Sequence, residues 1–135
     1  MLFHGSRNEN WWSIINSGLV LRPTNAVITG KMFGYGIYYA PKAQKSLGYT
    51  SLSGSYWARG SSASGFMALM DVAYGKPFDA YSFENRFSGL DYQGLQKLCP
   101  GANCLHAHAG SMLRNDEIIV YKEDQSTIHY LVELK

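Results

Sequence analysis

The sequence predicts an α+β domain in which short helices surround mostly antiparallel strands. Apolar residues recur at helical spacing near the N-terminus, a glycine-bounded apolar run lies in the middle, and two strand-like segments end the chain. The 135 residues are 46% hydrophobic and 16% charged, which is typical of a folded chain with one hydrophobic core. We therefore expect a single domain over residues 1–135.

The N-terminal elements are predicted to be a short apolar strand at 2–5 and a helix within 6–18. Either Ser6 or Asn8 could cap the helix, since both have side-chain acceptors for free backbone N–H groups. Gly18 is a favourable residue at which a helix ends.

The next segment predicts a strand, a helix and a loop. The stretch "YGIYYA" at 35–40 is rich in strand-forming aromatic residues. A short helix is expected at 41–49, because Pro41 suits the first turn of a helix. Residues 50–65 are rich in serine and glycine, so we expect a surface loop there.

The C-terminal half predicts three strands and one helix. The apolar run at 65–75 fits a buried strand better than a helix, and a short helix is expected at 90–98. Strands are predicted at 117–121 and 127–134, joined by a polar turn. Alternation gives the last strand one apolar face, which consists of Ile128, Tyr130, Val132 and Leu134.

Composition excludes several function classes. The net charge of +2 is not the electrostatic footprint of a nucleic-acid-binding protein. No apolar run is long enough to span a membrane and no signal peptide is visible, so we expect an intracellular, cytoplasmic protein, with a nuclear location or delivery as an effector also open. Cys99 and Cys104 are interpreted as free thiols, the alternative being a disulfide that closes a very short loop.

Two groups of residues could suggest a ligand site, but their spacing does not match the corresponding motifs. The pair Gly34-x-Gly36 lacks the third glycine of a dinucleotide fingerprint and enters a predicted strand instead of leaving one. The cluster of Cys99, Cys104, His106 and His108 places two imidazoles on one strand face but matches no known zinc spacing, so no metal is expected.

Two other positions have both a structural and a chemical interpretation. Glu117 opens an apolar strand, where a carboxylate is costly unless it is hydrogen-bonded, used in chemistry or solvated at the strand end. It follows Asp116, so the two carboxylates should point to opposite faces of a strand. His4-Gly5-Ser6 is either a simple turn or a place where a flat ligand reaches the backbone at glycine.

Five segments in this order resemble the catalytic domain of the poly(ADP-ribose) polymerases, the diphtheria-toxin-like branch of the ADP-ribosyltransferases. The His-Tyr-Glu triad of that family falls on His4, Tyr38 and Glu117. The resemblance covers almost the whole chain and is carried by "LFHGSR" (2–7), "MFGYGIYYAPKAQKSLGY" (32–49), "ALMDVAYGKP" (68–77), "LRNDEIIVY" (113–121) and "YLVELK" (130–135).

The resemblance implies an ADP-ribosyltransferase fold, with two packed, mostly antiparallel sheets around a cleft for NAD⁺, and it implies roles for individual residues. Glu117 would be the catalytic carboxylate. Residues that would bind the nicotinamide end of NAD⁺ or lie near the reaction centre are Gly5, Tyr38, Lys45, Ser46 and Tyr49. Residues that would contact the adenosine end are His4, Ser6 and Asn10, and Arg22 would replace an arginine that the family often has at the position of Val20.

The family's activity, carried over, is cleavage of the nicotinamide–ribose bond of NAD⁺ and transfer of ADP-ribose to an acceptor. The acceptor could be a protein, a nucleic acid or a small molecule, and either mono-transfer or polymer synthesis is compatible with the motifs. We expect a monomer, without the helical regulatory domain of some family members and without a membrane partner.

Two alternatives remain open from the sequence. A catalytically silent module that binds NAD⁺ or ADP-ribose would be expected to lose the histidine or the glutamate of the triad, and both are present. An RNA 2′-phosphotransferase of related fold would need a basic groove, which the charge of +2 does not indicate.

Overall fold

The computed structural model describes residues 1–21 and 32–135, and these contain three α-helices and seven strands. The helices are α1 (Trp11–Ser17), α2 (Ala43–Leu47) and α3 (Tyr92–Leu98). The strands are β1 (Leu2–Ser6), β2 (Ile37–Tyr39), β3 (Gly65–Val72), β4 (Pro77–Ala80), β5 (Cys104–Ala107), β6 (Glu117–Val120) and β7 (Ser126–Leu134). Single 3₁₀ turns lie at Asn8–Asn10, Asn85–Phe87 and Glu123–Gln125.

The described strands form two sheets. One has the order β1-β3-β7 and is antiparallel throughout. The other has the order β2-β6-β5-β4, in which only β4 and β5 are parallel. The predicted α+β class with mostly antiparallel sheets and few short helices is therefore confirmed.

Hydrophobic packing occurs on both faces of the four-stranded sheet. The core between the two sheets contains Tyr39, Met70, Ile118 and Val120 from the strands and Trp11 from α1. A second core covers the other face of the four-stranded sheet, where α3 contributes Leu95. At their edges the sheets are joined by two backbone hydrogen bonds of 2.8 and 2.9 Å between Phe3 and Ala40.

The N-terminal helix begins later than predicted. Ser6 is the last residue of β1, because its backbone pairs with that of Phe66 on β3, and neither Ser6 nor Asn8 caps the helix. Asn10 precedes α1 without a side-chain cap. Gly18 does end the helix, at a φ of 76° that favours glycine.

One further prediction needs correction. The loop at 50–65 is not wholly superficial, because Thr50, Ser51 and Ser55 are buried and the hydroxyls of Thr50 and Ser55 share a hydrogen bond.

The residues predicted to form the apolar face of β7 are only partly covered. Tyr130 is 57% and Val132 39% exposed, whereas Ile128 and Leu134 are half-buried. β7 is an edge strand among the described strands, and a register shift lies near its middle, between Leu69 and Met70 of its partner.

Cys99 and Cys104 are unbonded, as predicted. Helices in the described ranges are also far shorter than a bilayer requires, the longest having seven residues.

Candidate active site

Glu117 is a buried carboxylate paired with a lysine. It begins β6, is 6% exposed, and its Oε1 lies 3.0 Å from Nζ of Lys45 on α2. The same Nζ donates a hydrogen bond to the backbone carbonyl of Asn115 at 3.3 Å. The interpretation of Glu117 as a solvated strand end is therefore wrong.

Burial decides the ionisation behaviour of this pair. Removal from water raises the pKa of Glu117 above its usual value, and the positive charge of Lys45 opposes that shift without cancelling it. A carboxylate held in this way is poorly solvated, and it interacts strongly with any positive charge that develops next to it.

Two tyrosines lie within the electrostatic influence of Glu117. Burial is the larger cause of a raised pKa in both Tyr38 and Tyr49, and the negative charge of Glu117 adds to it. The pKa of Tyr49 reaches about 12. Both side chains are therefore neutral phenols near neutral pH. The Tyr38 hydroxyl accepts a hydrogen bond from the Phe33 N–H and donates one to the Gly34 carbonyl, each at 2.9 Å, so the backbone before β2 fixes this ring.

The histidine of the predicted triad is linked to the tyrosine. Nδ1 of His4 lies 2.8 Å from the backbone carbonyl of Tyr38, so Nδ1–H must be the donor. Burial lowers the pKa of His4, which favours the neutral ring. Its Nε2 then carries a lone pair that can accept a hydrogen bond from a hydroxyl group.

Gly5 directs its backbone N–H and C=O past the end of the contact between the sheets. The N–H and C=O of Phe3 face β2, where they bond to Ala40. Alternate residues of a strand direct these groups to the same side, so the N–H and C=O of Gly5 point beyond this contact. A Cβ at position 5 would lie 2.0 Å from the carbonyl oxygen of Ser46, so only glycine allows α2 to approach so closely.

The structure thus brings together most of the residues predicted for the site. Lys45, Ser46 and Tyr49 come from α2 and the residues after it, while β1, β2 and β6 supply the others. Ser6 and Asn10 lie at the outer end of β1, where Asn10 Nδ2 donates a hydrogen bond to Ser6 Oγ at 3.0 Å. Arg22 lies outside the described residues.

Sequence reasoning missed Trp57 as part of this region. Its ring stacks on that of Tyr49, with centroids 6.2 Å apart and planes 18° apart. The two segments also meet through the backbone, where the N–H of Ala58 donates to the carbonyl of Gly48 at 2.9 Å. The pair "YW" at 56–57 is the only aromatic signal in the serine- and glycine-rich loop and could have indicated this contact.

Comparison with known proteins identifies similar chains across nearly the whole length. A model of the poly(ADP-ribose) polymerase catalytic domain matches residues 1–100. The chain is 32% identical over 135 residues to the putative poly [ADP-ribose] polymerase-like 100L of Invertebrate iridescent virus 6, covering 99% of this chain and 70% of that protein.

Two cellular relatives match the entire chain. It is 30% identical to poly [ADP-ribose] polymerase 2 of Arabidopsis thaliana over 156 residues and to poly [ADP-ribose] polymerase 2 of Homo sapiens over 158 residues. It spans 24% and 26% of the length of those two proteins. These matches confirm the resemblance predicted from the five segments.

Proposed function

Because the chain belongs to the poly(ADP-ribose) polymerase catalytic-domain family, a family of NAD⁺-dependent ADP-ribosyltransferases, we propose that residues 1–135 form one catalytic domain of this activity. The chain would cleave the nicotinamide–ribose bond of NAD⁺ and transfer ADP-ribose to an acceptor. The observation that carries the proposal is the buried pair of Glu117 and Lys45, whose carboxylate also influences Tyr38 and Tyr49.

The nicotinamide end of NAD⁺ is matched by the groups near Gly5. A primary amide needs one acceptor and one donor close together, which the outward C=O and N–H of Gly5 supply. The Ser46 hydroxyl is proposed to bind the same carboxamide. The nicotinamide ring of NAD⁺ is a planar cation, so the ring face of Tyr49 would attract it by stacking and by cation–π interaction, worth roughly 0.5–2 kcal/mol.

The adenosine end is assigned to the other side of His4. The neutral ring of His4 presents Nε2 as an acceptor for a ribose hydroxyl, while Nδ1–H is held by Tyr38. Ser6 and Asn10, which bond to each other, are proposed to line the adenosine part, together with Arg22.

The chemical step requires stabilisation of positive charge. When the bond from the ribose C1′ to the nicotinamide nitrogen breaks, its electron pair neutralises the pyridinium ring, so the leaving group needs no proton. The ribose left behind resembles an oxocarbenium ion, and Glu117 would stabilise its charge. The acceptor then forms a bond to C1′ and loses a proton, which Glu117 can accept as a general base.

Two variants of this function differ only in the acceptor. Mono-transfer uses a group on a protein, nucleic acid or small molecule, whereas elongation uses a hydroxyl of an ADP-ribose unit already attached. Retention of both His4 and Glu117 supports either of these over a silent binding module.

The two unbonded cysteines agree with the reducing interior of a cell, which supports the intracellular location expected from the sequence.

The test is to incubate the chain with NAD⁺ and candidate acceptors, and to follow nicotinamide release and added mass by mass spectrometry. Glu117→Gln keeps the shape of the side chain but removes its charge. We expect a 10²–10³-fold loss of nicotinamide release, about 2.7–4 kcal/mol, as for the loss of one stabiliser of transition-state charge. Absence of release by the unmodified chain, or equal release by both, would contradict the proposal.

A further inference from the structure

A second cluster of reactive side chains lies on the four-stranded sheet, on the face opposite Glu117. His106 is on β5 and His108 follows it at the same spacing on the same face. The parallel register places Asp79 of β4 directly beside His106, and Asp116 precedes β6. No residue of this cluster has a role in the proposed NAD⁺ site.

The two imidazole rings are stacked, so that Nδ1 of His106 lies beside Nε2 of His108 at one end of the stack and the other two nitrogens lie at the opposite end. Their centroids are 3.9 Å apart and their planes differ by 12°. At one end, Asp79 Oδ1 lies 2.7 Å from His108 Nε2 and 4.0 Å from His106 Nδ1. All three ligand atoms lie within 4.8 Å of one another. Because a metal ion lies in the plane of an imidazole that binds it, the two rings would have to rotate out of the stack before all three atoms could lie about 2.0–2.2 Å from a common ion.

The other end of the stack has the arrangement that orients histidine ligands. Asp116 Oδ2 accepts a hydrogen bond from His106 Nε2 at 2.8 Å and lies 3.9 Å from His108 Nδ1. Its second oxygen is fixed by the N–H of Ala109 at 2.8 Å. A metal-binding histidine commonly donates its other ring N–H to such a carboxylate, so Asp116 selects the tautomer of His106 that leaves Nδ1 available.

The three proposed ligands are accessible from solvent, and the hydroxyl of Tyr74 competes for one of them. The side chains of His106 and His108 are 18% and 25% exposed and that of Asp79 is 43% exposed, so an ion can reach them from solvent. The Tyr74 hydroxyl donates to His106 Nδ1 at 2.6 Å and would have to move or become a ligand. Cys104 shares the strand face, but it is fully buried and lies outside the cluster.

We propose that Asp79, His106 and His108 bind one divalent first-row transition-metal ion of the Zn²⁺ type, with Asp116 orienting the imidazoles. The ion would replace the Nε2 proton that His108 donates to Asp79, and it would tie the edge strand β4 to β5. Imidazole ligands favour Zn²⁺, Ni²⁺ or Cu²⁺, whereas Mg²⁺ and Ca²⁺ prefer all-oxygen sites. The proposal departs from the prediction of no metal, which grouped His106 and His108 with the two nearby cysteines and not with Asp79, 29 residues before His108.

The experiment titrates the chelator-treated full chain with Zn²⁺ and, separately, with Co²⁺. We expect one ion per chain by calorimetry, and a Co²⁺ spectrum with ligand-field bands but no thiolate charge-transfer band. The Tm should rise by roughly 5–10 °C when free Zn²⁺ is about a hundredfold above its Kd. Mg²⁺ at the same concentration should leave the Tm unchanged.

Variants separate this site from adventitious binding. Asp79→Asn changes an exposed side chain and is expected to fold, as circular dichroism will show, but it should lose both the Co²⁺ bands and the Tm shift, as should His108→Asn. The matched control is His129→Asn, which breaks the exposed pair of His129 and Asp71 at 2.8 Å and should bind normally. Absence of binding, a thiolate band, or unchanged binding by Asp79→Asn would overturn the proposal, and none of these depends on transferase activity.

Discussion

The ion pair of Glu117 and Lys45 joins residues that are 72 positions apart in the chain and that both lie mostly out of water, with side chains 8% and 13% exposed. Burying a carboxylate is costly, and the lysine offsets only part of that cost. In the proposed reaction this incomplete compensation would be useful, because a poorly solvated carboxylate gains more from a developing cation than a solvated one does. Lys45 would then act as a positioning residue through Glu117.

The first prediction concerns the pH dependence of activity in Lys45→Met. The proposed mechanism needs Glu117 as a carboxylate, and the charge of Lys45 lowers the pKa of Glu117 against the effect of burial. Without that charge the pKa rises, so the acidic limb of the kcat profile should move to higher pH. Lys42→Met, which removes an exposed charge just before α2, is the matched control and should leave the limb in place. An unmoved limb in Lys45→Met would refute the coupling.

The same substitution has a consequence for folding stability, which follows from the sign of the shift. The folded pKa of Glu117 lies above its usual value of 4.5. The protonated Glu117 side chain therefore makes its full contribution to the free energy of unfolding below pH 4.5, and this contribution is lost as the pH rises through the folded pKa. Because Lys45→Met raises that pKa further, urea denaturation should show a larger loss of stability over this window than in the unmodified chain.

At the scale of elements, the end of α2 packs against the loop that contains Trp57. Trp57 is 53% exposed, yet its ring lies against Tyr49, which is proposed to stack on nicotinamide. Trp57 therefore restricts the orientation of Tyr49, which would lower the entropic cost of the proposed stacking on the nicotinamide ring.

The second prediction follows from this contact. Trp57→Ala should raise KM for NAD⁺ about 2–10-fold, because an aromatic pair is worth roughly 0.5–1.5 kcal/mol and 1.4 kcal/mol is a factor of ten. The kcat should change little, since Glu117 and Lys45 are untouched. Trp12→Ala removes a more exposed ring, 79% exposed on α1, and serves as control. Steady-state kinetics that show equal KM values for both variants would exclude this role.

Elements with strong local patterns were the ones that the sequence could predict. The apolar run of β3 and the alternation of β7 are long, so both strands were expected. β4 and β5 were not listed among the predicted strands, because β4 begins with a proline and the two pair in parallel through a long connection. The limits of α1 were misplaced because pairing with β3 keeps Ser6 in a strand.

The candidate site was predictable only in part, because several of its contacts form only when separate segments of the chain pack together. Motif resemblance located Glu117 and Lys45, but their 3.0 Å contact depends on how α2 packs beside β6. Asp79 has no local pattern that indicates a ligand, since it meets His106 only through the pairing of β4 with β5. Trp57 has only the aromatic pair at 56–57 as a signal, and its stacking on Tyr49 depends on how the loop folds back. Chemistry that arises from tertiary contacts has no periodic signal along the chain.

At the scale of the whole molecule, the proposed NAD⁺ site is divided between the two sheets. His4 and Gly5 belong to the three-stranded sheet, and Tyr38 and Glu117 belong to the four-stranded one. A displacement of one sheet against the other would therefore separate the groups proposed to bind NAD⁺ from the carboxylate proposed to act on it. On this proposal, the contacts that hold the two sheets together support function as well as stability.

One such contact is the hydrogen bond of 2.5 Å between the hydroxyls of Tyr39 on β2 and Ser126 on β7. The Tyr39 ring is 2% exposed in the core between the sheets, and burial raises the pKa of its hydroxyl to about 12, so this group remains protonated at physiological pH. Tyr39→Phe keeps the ring and removes only the bond, which avoids a cavity. A buried hydrogen bond of this kind contributes about 0.5–1.5 kcal/mol to stability.

The third prediction is that Tyr39→Phe and Ser126→Ala each lower the free energy of unfolding in urea by about that amount. The double variant should lose less than the sum of the two, because either change alone already breaks the bond. Tyr130→Phe alters a tyrosine that is 57% exposed on β7 and should stay within about 0.5 kcal/mol of the unmodified chain. Strict additivity in the double variant would mean that the hydroxyls act separately and that this bond does not help to hold the sheets together.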